Sequence, residues 1–363
     1  MQETGAQGSV AVSIILVTWR SGDELTHCLT SLAASRQRCP HPLQLIVVDN
    51  GGTVGLAEML HQTWSDSLLV TNEQNRGFAA AANQGAKLAQ GEILLFLNPD
   101  TVAVGEPFSP LLEGFASIPE AVALAPRLED AGEVAEAHLT FQLRRLPHWG
   151  QAMRELLLID KLFPLNRYFA RDRYLGQSRE EPFPVEQPAA AALALRREAF
   201  FRLGGFDEGF FPAWFEDVDL CARLWRLGPI YFWPHSRFVH IGGRAKDLLG
   251  YHQFLPLYYA NAIRYWRKHH GYLAALGFRA LLALGMLLRV AALLFRPAVP
   301  RRRAEALRAY AGTFLLALTP LALHSRRPAG CGSPPAPGGS AAPGTTTAPK
   351  PVPPPGGIPS LPA

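Results

Sequence analysis

The strongest constraint in this sequence is a rhythm. From Val12 to about Pro126, short apolar runs rich in β-branched residues alternate with helical patterns. The runs are VSIILVTW (12–19), LQLIVVD (43–49), a short LLVT (68–71), EILLFLN (92–98) and AVALAP (121–126), and helices are predicted near 23–34, 77–89 and 107–117. Strands that are apolar throughout must be covered on both faces, which calls for a mostly parallel central sheet with helices on each side. The expected fold class is therefore α/β, of the open nucleotide-binding kind. In such sheets ligands bind in the crevice outside the carboxyl ends of the strands, so the residues that close each run are the ones to read.

The first run closes on Thr18 and Trp19, a hydroxyl and a flat ring. The second closes on Asp49 and Asn50 before two glycines. An acid there can hold a ribose or a base edge, and the same pair equally suits an Asx turn. The stretch TNEQNRGFAAAANQG brings Asn75, Arg76 and Gly77 to a loop entering a helix, whose free amides favour a diphosphate neighbour. Its glycine pattern is not G-x-G-x-x-G, and a closely packed alanine helix explains it as well. The run ILLFL stops at Asn98, Pro99 and Asp100, ordinary turn chemistry that also leaves a carboxylate at the sheet edge.

Farther on, WFEDVDLC gathers Glu216, Asp217 and Asp219 at a helix entry. The helix dipole alone favours acids there. Trp214 and Phe215 directly before them would also limit solvent and raise a carboxylate's pKa toward that of a usable base. His240 closes SRFVHIGG. A lone histidine is usually a hydrogen-bonded structural residue; paired with Asp100 across the same edge, it would supply mixed nitrogen and oxygen ligands to a divalent metal.

Beyond the rhythm, residues 127–187 carry scattered prolines and read as an insertion or lid with one or two helices. Residues 1–10 read as a disordered N-terminus without a basic n-region, so the first apolar run is a strand and not a signal peptide. Cys28, Cys39, Cys221 and Cys331 show no C-x-x-C spacing and read as reduced thiols in a cytosolic compartment. The formal charge of +5 is modest and no basic and aromatic residues alternate, so nucleic-acid binding is not expected.

Residues 251–270 form an amphipathic helical pattern ending in RYWRKHH, and residues 272–295 are apolar and long enough to span a bilayer. Arg279 and Arg289 interrupt that stretch at a cost of about 2.5–3.5 kcal/mol each near mid-bilayer, which its leucines, valines and phenylalanines about offset. The two arginines lie roughly 80° apart around a helix and share one side. The expectation is an in-plane helix with Arg301, Arg302, Arg303 and Arg308 facing anionic lipid; a helical hairpin packed on the core or on a second subunit is the alternative. Residues 271–325 are thus expected to be membrane-associated, holding a cytoplasmic protein at the inner face of the inner membrane. Residues 326–363, with twelve prolines from Pro328 onward, read as a disordered tail.

The order of VTW, VVDN, NRGFAAAAN, LFLNPDT, RREAFFRLGGFDEGFF, FEDVDLC and VHIGG closely resembles the family-2 glycosyltransferases with the Rossmann-like GT-A fold, above all their rhamnosyltransferase-like branch, over roughly residues 11–270. The resemblance implies an inverting, metal-dependent transfer from a nucleotide sugar to a glycan or polyprenyl-linked acceptor. L-rhamnose from its dTDP-activated form is the implied donor sugar, with galactofuranose or another hexose as alternatives. It further implies that Thr18, Trp19, Asp49, Asn50, Asn98 and the Asn75–Arg76–Gly77 loop hold the donor nucleotide. Asp100 and His240 would bind Mg or Mn, Asp217 with Glu216 would supply the base, and Gly205, Phe206, Asp207 and Trp214 would shape the acceptor side. Two departures stand out: Asn98 replaces the first acid of the D-x-D pattern, as is usual in this branch, and Ala189–Ala192 stand where the family often has a glycine.

Two readings from other classes compete. A non-catalytic nucleotide-sugar-binding subunit is opposed by the intact Asp100, Asp217 and His240. A nucleotidyltransferase would want a glycine- and lysine-rich loop after the first strand, where WRSGDEL offers only Arg20.

Overall fold

A computed structural model describes residues 9–130, 142–164, 167–241, 249–294 and 300–320. The expected Pro-rich tail and nearly all of the expected disordered N-terminus lie outside the described residues. The alternation read from the sequence is present as β1 (Val12–Thr18), α1 (Asp23–Arg36), β2 (Leu43–Asp49), α2 (Leu56–Thr63), β3 (Leu68–Thr71), α3 (Phe78–Leu88), β4 (Ile93–Leu97), β5 (Thr101–Ala103), α4 (Phe108–Ser117) and β6 (Ala123–Asp130). Helix α2 was not expected; it is two turns long and buries only Leu56 and Leu60, too little periodicity to read.

The 127–187 segment contributes the short β7 (Leu143–Arg144), α5 (Trp149–Leu156), α6 (Ile159–Leu162), α7 (Arg167–Asp172) and β8 (Phe183–Pro184). The chain then re-enters the core through β9 (Gln187–Pro188), β10 (Ala192–Arg196), α8 (Arg197–Arg202), α9 (Glu216–Leu224) and β11 (Ile230–His240). Helices α10 (Tyr251–His270), α11 (Tyr272–Leu294) and α12 (Pro300–Leu318) follow.

The sheet order is β3-β2-β1-β4-β10-β6-β11-β5, with β8 beside β11. Strands β1 to β4 are mutually parallel, β10 runs against both β4 and β6, and β11 runs with β6. All the long strands except β10 therefore point one way, and Thr18, Asp49, the Asn98 turn and His240 end at the same edge. This is the mostly parallel α/β sheet that the pattern called for. Alternate residues of the strands feed two layers: Ile14, Leu16, Leu45 and Val47 pack with α1, α2 and α4, while Ile15, Val17, Ile46 and Val48 pack with α3 and α9. Gly85 lets α3 lie close, since a Cβ there would sit 2.7 Å from Ile15 Cγ2.

The C-terminal helices show where the two arginines of α11 point. Arg279 and Arg289 do share a side of α11, but that side faces the protein. Arg279, 9 % exposed, donates to the carbonyl oxygens of Ala317 and Thr319 at the end of α12, and Arg289 donates to those of Leu156 and Glu155 at the end of α5. Guanidinium groups at helix C-termini meet orphan carbonyls and the negative dipole end, which suits them. The opposite side of α11 exposes Leu273, Leu276, Leu284, Leu287 and Leu288, and α12 exposes Leu307, Leu315 and Leu318. The side chains of Arg301 and Arg302 lie outside the described residues; Arg308 is exposed on α12.

Candidate active site

The register of β1 and β2 sets Thr18 beside Asp49. Thr18 is fully buried and its hydroxyl donates to Ser21 Oγ at 2.7 Å. Asp49 accepts from Thr53 N through Oδ2 at 3.2 Å, while its Oδ1 is buried with no hydrogen-bond partner. Trp19 is half-buried and carries the guanidinium of Arg20 5.5 Å from its ring centroid. One wall of the edge thus offers an unused carboxylate oxygen and a ring.

Asn50 has a different part. Its Nδ2 donates to Asn75 Oδ1 at 2.8 Å, and its Oδ1 accepts from Arg76 N at 2.9 Å and Asn72 Nδ2 at 3.2 Å. Asn75 Oδ1 in turn accepts from Gly77 N at 2.8 Å. Both ends of the Asn50 amide therefore shape the 75–77 loop, and Arg76 is left exposed at its tip. Gly77 opens α3 at φ 83°, and a Cβ there would sit 2.8 Å from Phe211 Cδ2 and 3.0 Å from Pro212 O. Only glycine fits on both counts.

After β4, Asn98 O accepts from Thr101 N and Oγ1, closing the turn that presents Asp100. Strand β5 then pairs antiparallel with β11, setting Thr101 opposite His240. Asp100 Oδ1 and His240 Nε2 face each other at 3.3 Å, and both atoms are buried without a hydrogen-bond partner. A carboxylate oxygen and an imidazole nitrogen converging from two strands are the mixed oxygen and nitrogen donors that a divalent cation takes. Among the described residues no group of three or more such side chains converges.

Glu216 and Asp217 open α9 at the end of a strained approach: Trp214 and Phe215 have φ of 74° and 70°, in the left-handed region that side chains rarely occupy. Burial pushes both carboxyls up, Glu216 well above its ordinary value because burial and the neighbouring Asp217 charge act together. Burial also dominates at Asp217, opposed by the charge of Arg144 and by amides at its carboxylate, among them Ala190 N and Val218 N. Gln187 Nε2 lies 3.5 Å from Asp217 Oδ2. Asn98 N donates to Ala191 O. Residues 190 and 191 therefore connect the Asn98–Asp100 turn to Asp217, and the alanines that replace a glycine lie between them.

The expected acceptor residues divide. Trp214 is half-buried and its ring stands edge-on to Phe254 at 4.8 Å. Phe206 instead is core: 2 % exposed, it packs on Phe78, Phe96 and Phe200 at 5.0–5.6 Å. Gly205 turns the chain against Asn83, and Asp207 is held by Lys268 at 2.7 Å and Arg264 at 3.2 Å. All three are thus in contact with framework partners. Sequence reading missed Gln187, Arg144 and Asn83. The last was signalled by a lone amide inside an alanine helix: its side chain both donates to Phe206 O and accepts from Phe206 N at 2.9 Å.

The model of glycosyl transferase family 2 matches residues 13–180. Over 275 residues the chain is 28 % identical to the N-acetylglucosaminyl-diphospho-decaprenol L-rhamnosyltransferase of Mycobacterium tuberculosis, covering 70 % of this chain and 85 % of that relative. It is 26 % identical to YfnE, an uncharacterised glycosyltransferase of Bacillus subtilis, over 60 % of each chain. Among solved structures, a mannosyltransferase of Pyrobaculum calidifontis in complex with GDP-Man and Mn2+ superposes with a TM-score of 0.49 at 17 % identity, covering 86 % of this chain and 87 % of that one. GalNAc-T7 with UDP, GalNAc and Mn2+ gives 0.48 at 20 %, and the chain spans about half of it, 70 % of this chain against 48 % of that one. Residues 13–180 thus match the glycosyl transferase family 2 domain, and the chain is similar to the glycosyltransferases named, the rhamnosyltransferase among them.

Proposed function

We propose that the protein transfers a sugar, L-rhamnose from a dTDP-activated donor, with inversion onto a polyprenyl-linked or growing glycan in cell-surface polysaccharide synthesis. The observation that carries this reading is the meeting of Asp100 Oδ1 and His240 Nε2 at 3.3 Å on the sheet edge where Asp49 also keeps a buried Oδ1 with no hydrogen-bond partner. Buried polar atoms are nearly always hydrogen-bonded, so a carboxylate and an imidazole that converge from two strands with no hydrogen bond to either atom support a place for a ligand. The choice of rhamnose rests on motif order and on the 28 % identical relative; galactofuranose or another hexose is the alternative sugar.

In this reading Thr18, Trp19 and Asp49 hold the nucleotide, and the loop from Asn75 to Gly77, fixed by Asn50, lies against the diphosphate at the start of α3. Asp100 and His240 would hold a Mg or Mn ion, which when bound offsets the charge that grows on the departing diphosphate. Asp217 takes the proton of the acceptor hydroxyl as that oxygen bonds to the anomeric carbon, and the nucleoside diphosphate leaves with the electron pair of the broken bond. Glu216 keeps its proton beside Asp217, so the pair carries one charge rather than two. Trp214 lies next to the base, where an acceptor ring would stack.

The apolar sides of α11 and α12 would rest on the cytoplasmic face of the membrane, bringing the enzyme to a lipid-linked acceptor. Flotation of the full chain with anionic vesicles tests this: Leu284→Lys with Leu287→Lys should abolish flotation while leaving donor turnover intact, and retained flotation would reject this face.

The decisive experiment gives the full chain a panel of nucleotide sugars with manganese or magnesium and follows nucleoside diphosphate release. Release from one donor, lost with chelator and in Asp100→Ala and Asp217→Asn, is the expected result. Tight donor binding without release, even with a lipid-linked glycan extract, would instead favour a binding subunit.

A further inference from the structure

The backbone that leads into Asp217 is strained at two consecutive positions. Trp214 and Phe215 hold φ of 74° and 70°, conformations that persist only where the surroundings impose them. What imposes them comes from one helix, α10. Phe215 packs on Tyr258 and Tyr265 at 5.1 and 5.8 Å, and Trp214 on Phe254. Between those rings stands Asn261, 5 % exposed. Its Nδ2 donates to Ala213 O at 2.8 Å, Trp214 O at 3.1 Å and Phe211 O at 3.3 Å. One amide nitrogen with two hydrogens serves three carbonyls of the same turn, and so gathers their oxygens to one point.

The other side of the turn reaches the donor loop. Pro212 O accepts from Phe78 N at 2.7 Å, the first residue of α3, and Phe211 closes over the bare Gly77. Residues 211–215 are thus tied to α10 on one side and to the start of α3 on the other, with Glu216 and Asp217 next in the chain. We propose that Asn261 is a positioning residue for the transfer reaction, holding the 211–215 turn so that Asp217 and the Asn75–Gly77 loop keep a fixed relation to each other. The inference rests on Asp217 being the base.

Three variants of the full chain test it: Asn261→Leu, which keeps the volume without a donor, Asn261→Ser, which keeps one hydroxyl donor, and Asp217→Asn. Donor turnover is followed as kcat and KM across pH at a temperature far below each variant's Tm. A misplaced reacting group costs on the order of 10²-fold. Asn261→Leu should therefore lose about 10²-fold in kcat and raise the donor KM, and Asn261→Ser should lose about tenfold. The acid limb of the profile should also move to lower pH as a loosened Asp217 gains solvent. Around Asp217 the other charged and titrating groups are Glu216 before it, Cys221 one turn on, Arg144 from β7 and Tyr258 from α10, none altered by the substitutions.

A purely structural Asn261 would lower Tm and leave kcat and the acid limb where they are; that result overturns the proposal. If Asn261→Leu does not fold, a folded Asn261→Ser with wild-type kcat and an unmoved limb overturns it equally. Full turnover in Asp217→Asn would instead remove the base assignment on which the inference stands.

Discussion

Helix α9 begins with three acids, and its two flanks treat them oppositely. On the flank facing the sheet edge, Glu216 and Asp217 are buried with few partners, and burial drives both carboxyls toward the neutral form. On the flank facing α10, Asp219 is completely buried yet receives Lys268 at 2.7 Å, His269 at 2.8 Å and Arg223 at 2.8 Å. Burial again pushes its carboxyl up, but the bonds to His269, Arg223 and Lys268 outweigh it and hold the pKa at about 2. The same residue type in the same helical turn becomes a candidate base or a structural anchor according to whether a neighbouring helix supplies cations. Arg223 extends the anchored side, donating to Leu203 O and Gly205 O, and Lys268 also holds Asp207. That network ties Gly205 and Asp207 to α9 and α10.

The largest expected effect separates the flanks directly. Asp217→Asn should lower donor turnover by about 10³-fold, within the range that a positioned base contributes, and leave thermal unfolding nearly unchanged. Asp219→Asn should do the reverse. Removing one partner from a buried ion pair costs roughly 3 kcal/mol because the remaining charges are left uncompensated, so Tm should fall while kcat at low temperature stays near wild type. An Asp219→Asn protein that unfolds normally but has lost turnover would erase the distinction between the two flanks.

How much of this was readable in the sequence follows the same division. The sheet was readable because strands covered on both faces are apolar without interruption, and the Asp100–His240 meeting was readable because both residues close runs of one sheet. Gln187 and Arg144 were not, since each stands in a two-residue strand whose place is set by tertiary packing alone. Asn261 sits mid-helix, where its spacing says only that it shares a face with Tyr258 and Tyr265. The arginines of α11 show the limit most plainly. A helical wheel places Arg279 and Arg289 on one side, but which side meets water depends on carbonyls 38 and 133 residues away.

Acid sharpens the comparison further. Asp219 has a folded-state pKa below its unfolded value, so its contribution is complete above about pH 4 and disappears as pH falls toward 2. Linkage puts the loss at about 2 kcal/mol. Glu216 and Asp217 act in the opposite sense: with folded-state values raised, they favour the folded state while protonated and oppose it as pH rises through those values. Chemical denaturation between pH 2 and 5 should therefore show a steep loss in the wild type and a flatter one in Asp219→Asn. Equal slopes would mean that the cations of α10 do not hold Asp219.

The smallest effect concerns a second place where buried charge is fully used. Arg279 donates to Ala317 O and Thr319 O, carbonyls at the end of α12. Arg279→Met keeps most of the side-chain volume and removes the donors, so the cost is that of leaving carbonyls unsatisfied at a partly buried helix end, about 1–2 kcal/mol. The apolar stem still packs, which limits the loss. Unfolding of the C-terminal helices, followed by hydrogen exchange in α11 and α12, should quicken while donor turnover is unchanged. If exchange there is unaltered, the guanidinium contributes nothing to the hairpin, and Arg279 would be a charge tolerated by α11 and not a cap for α12.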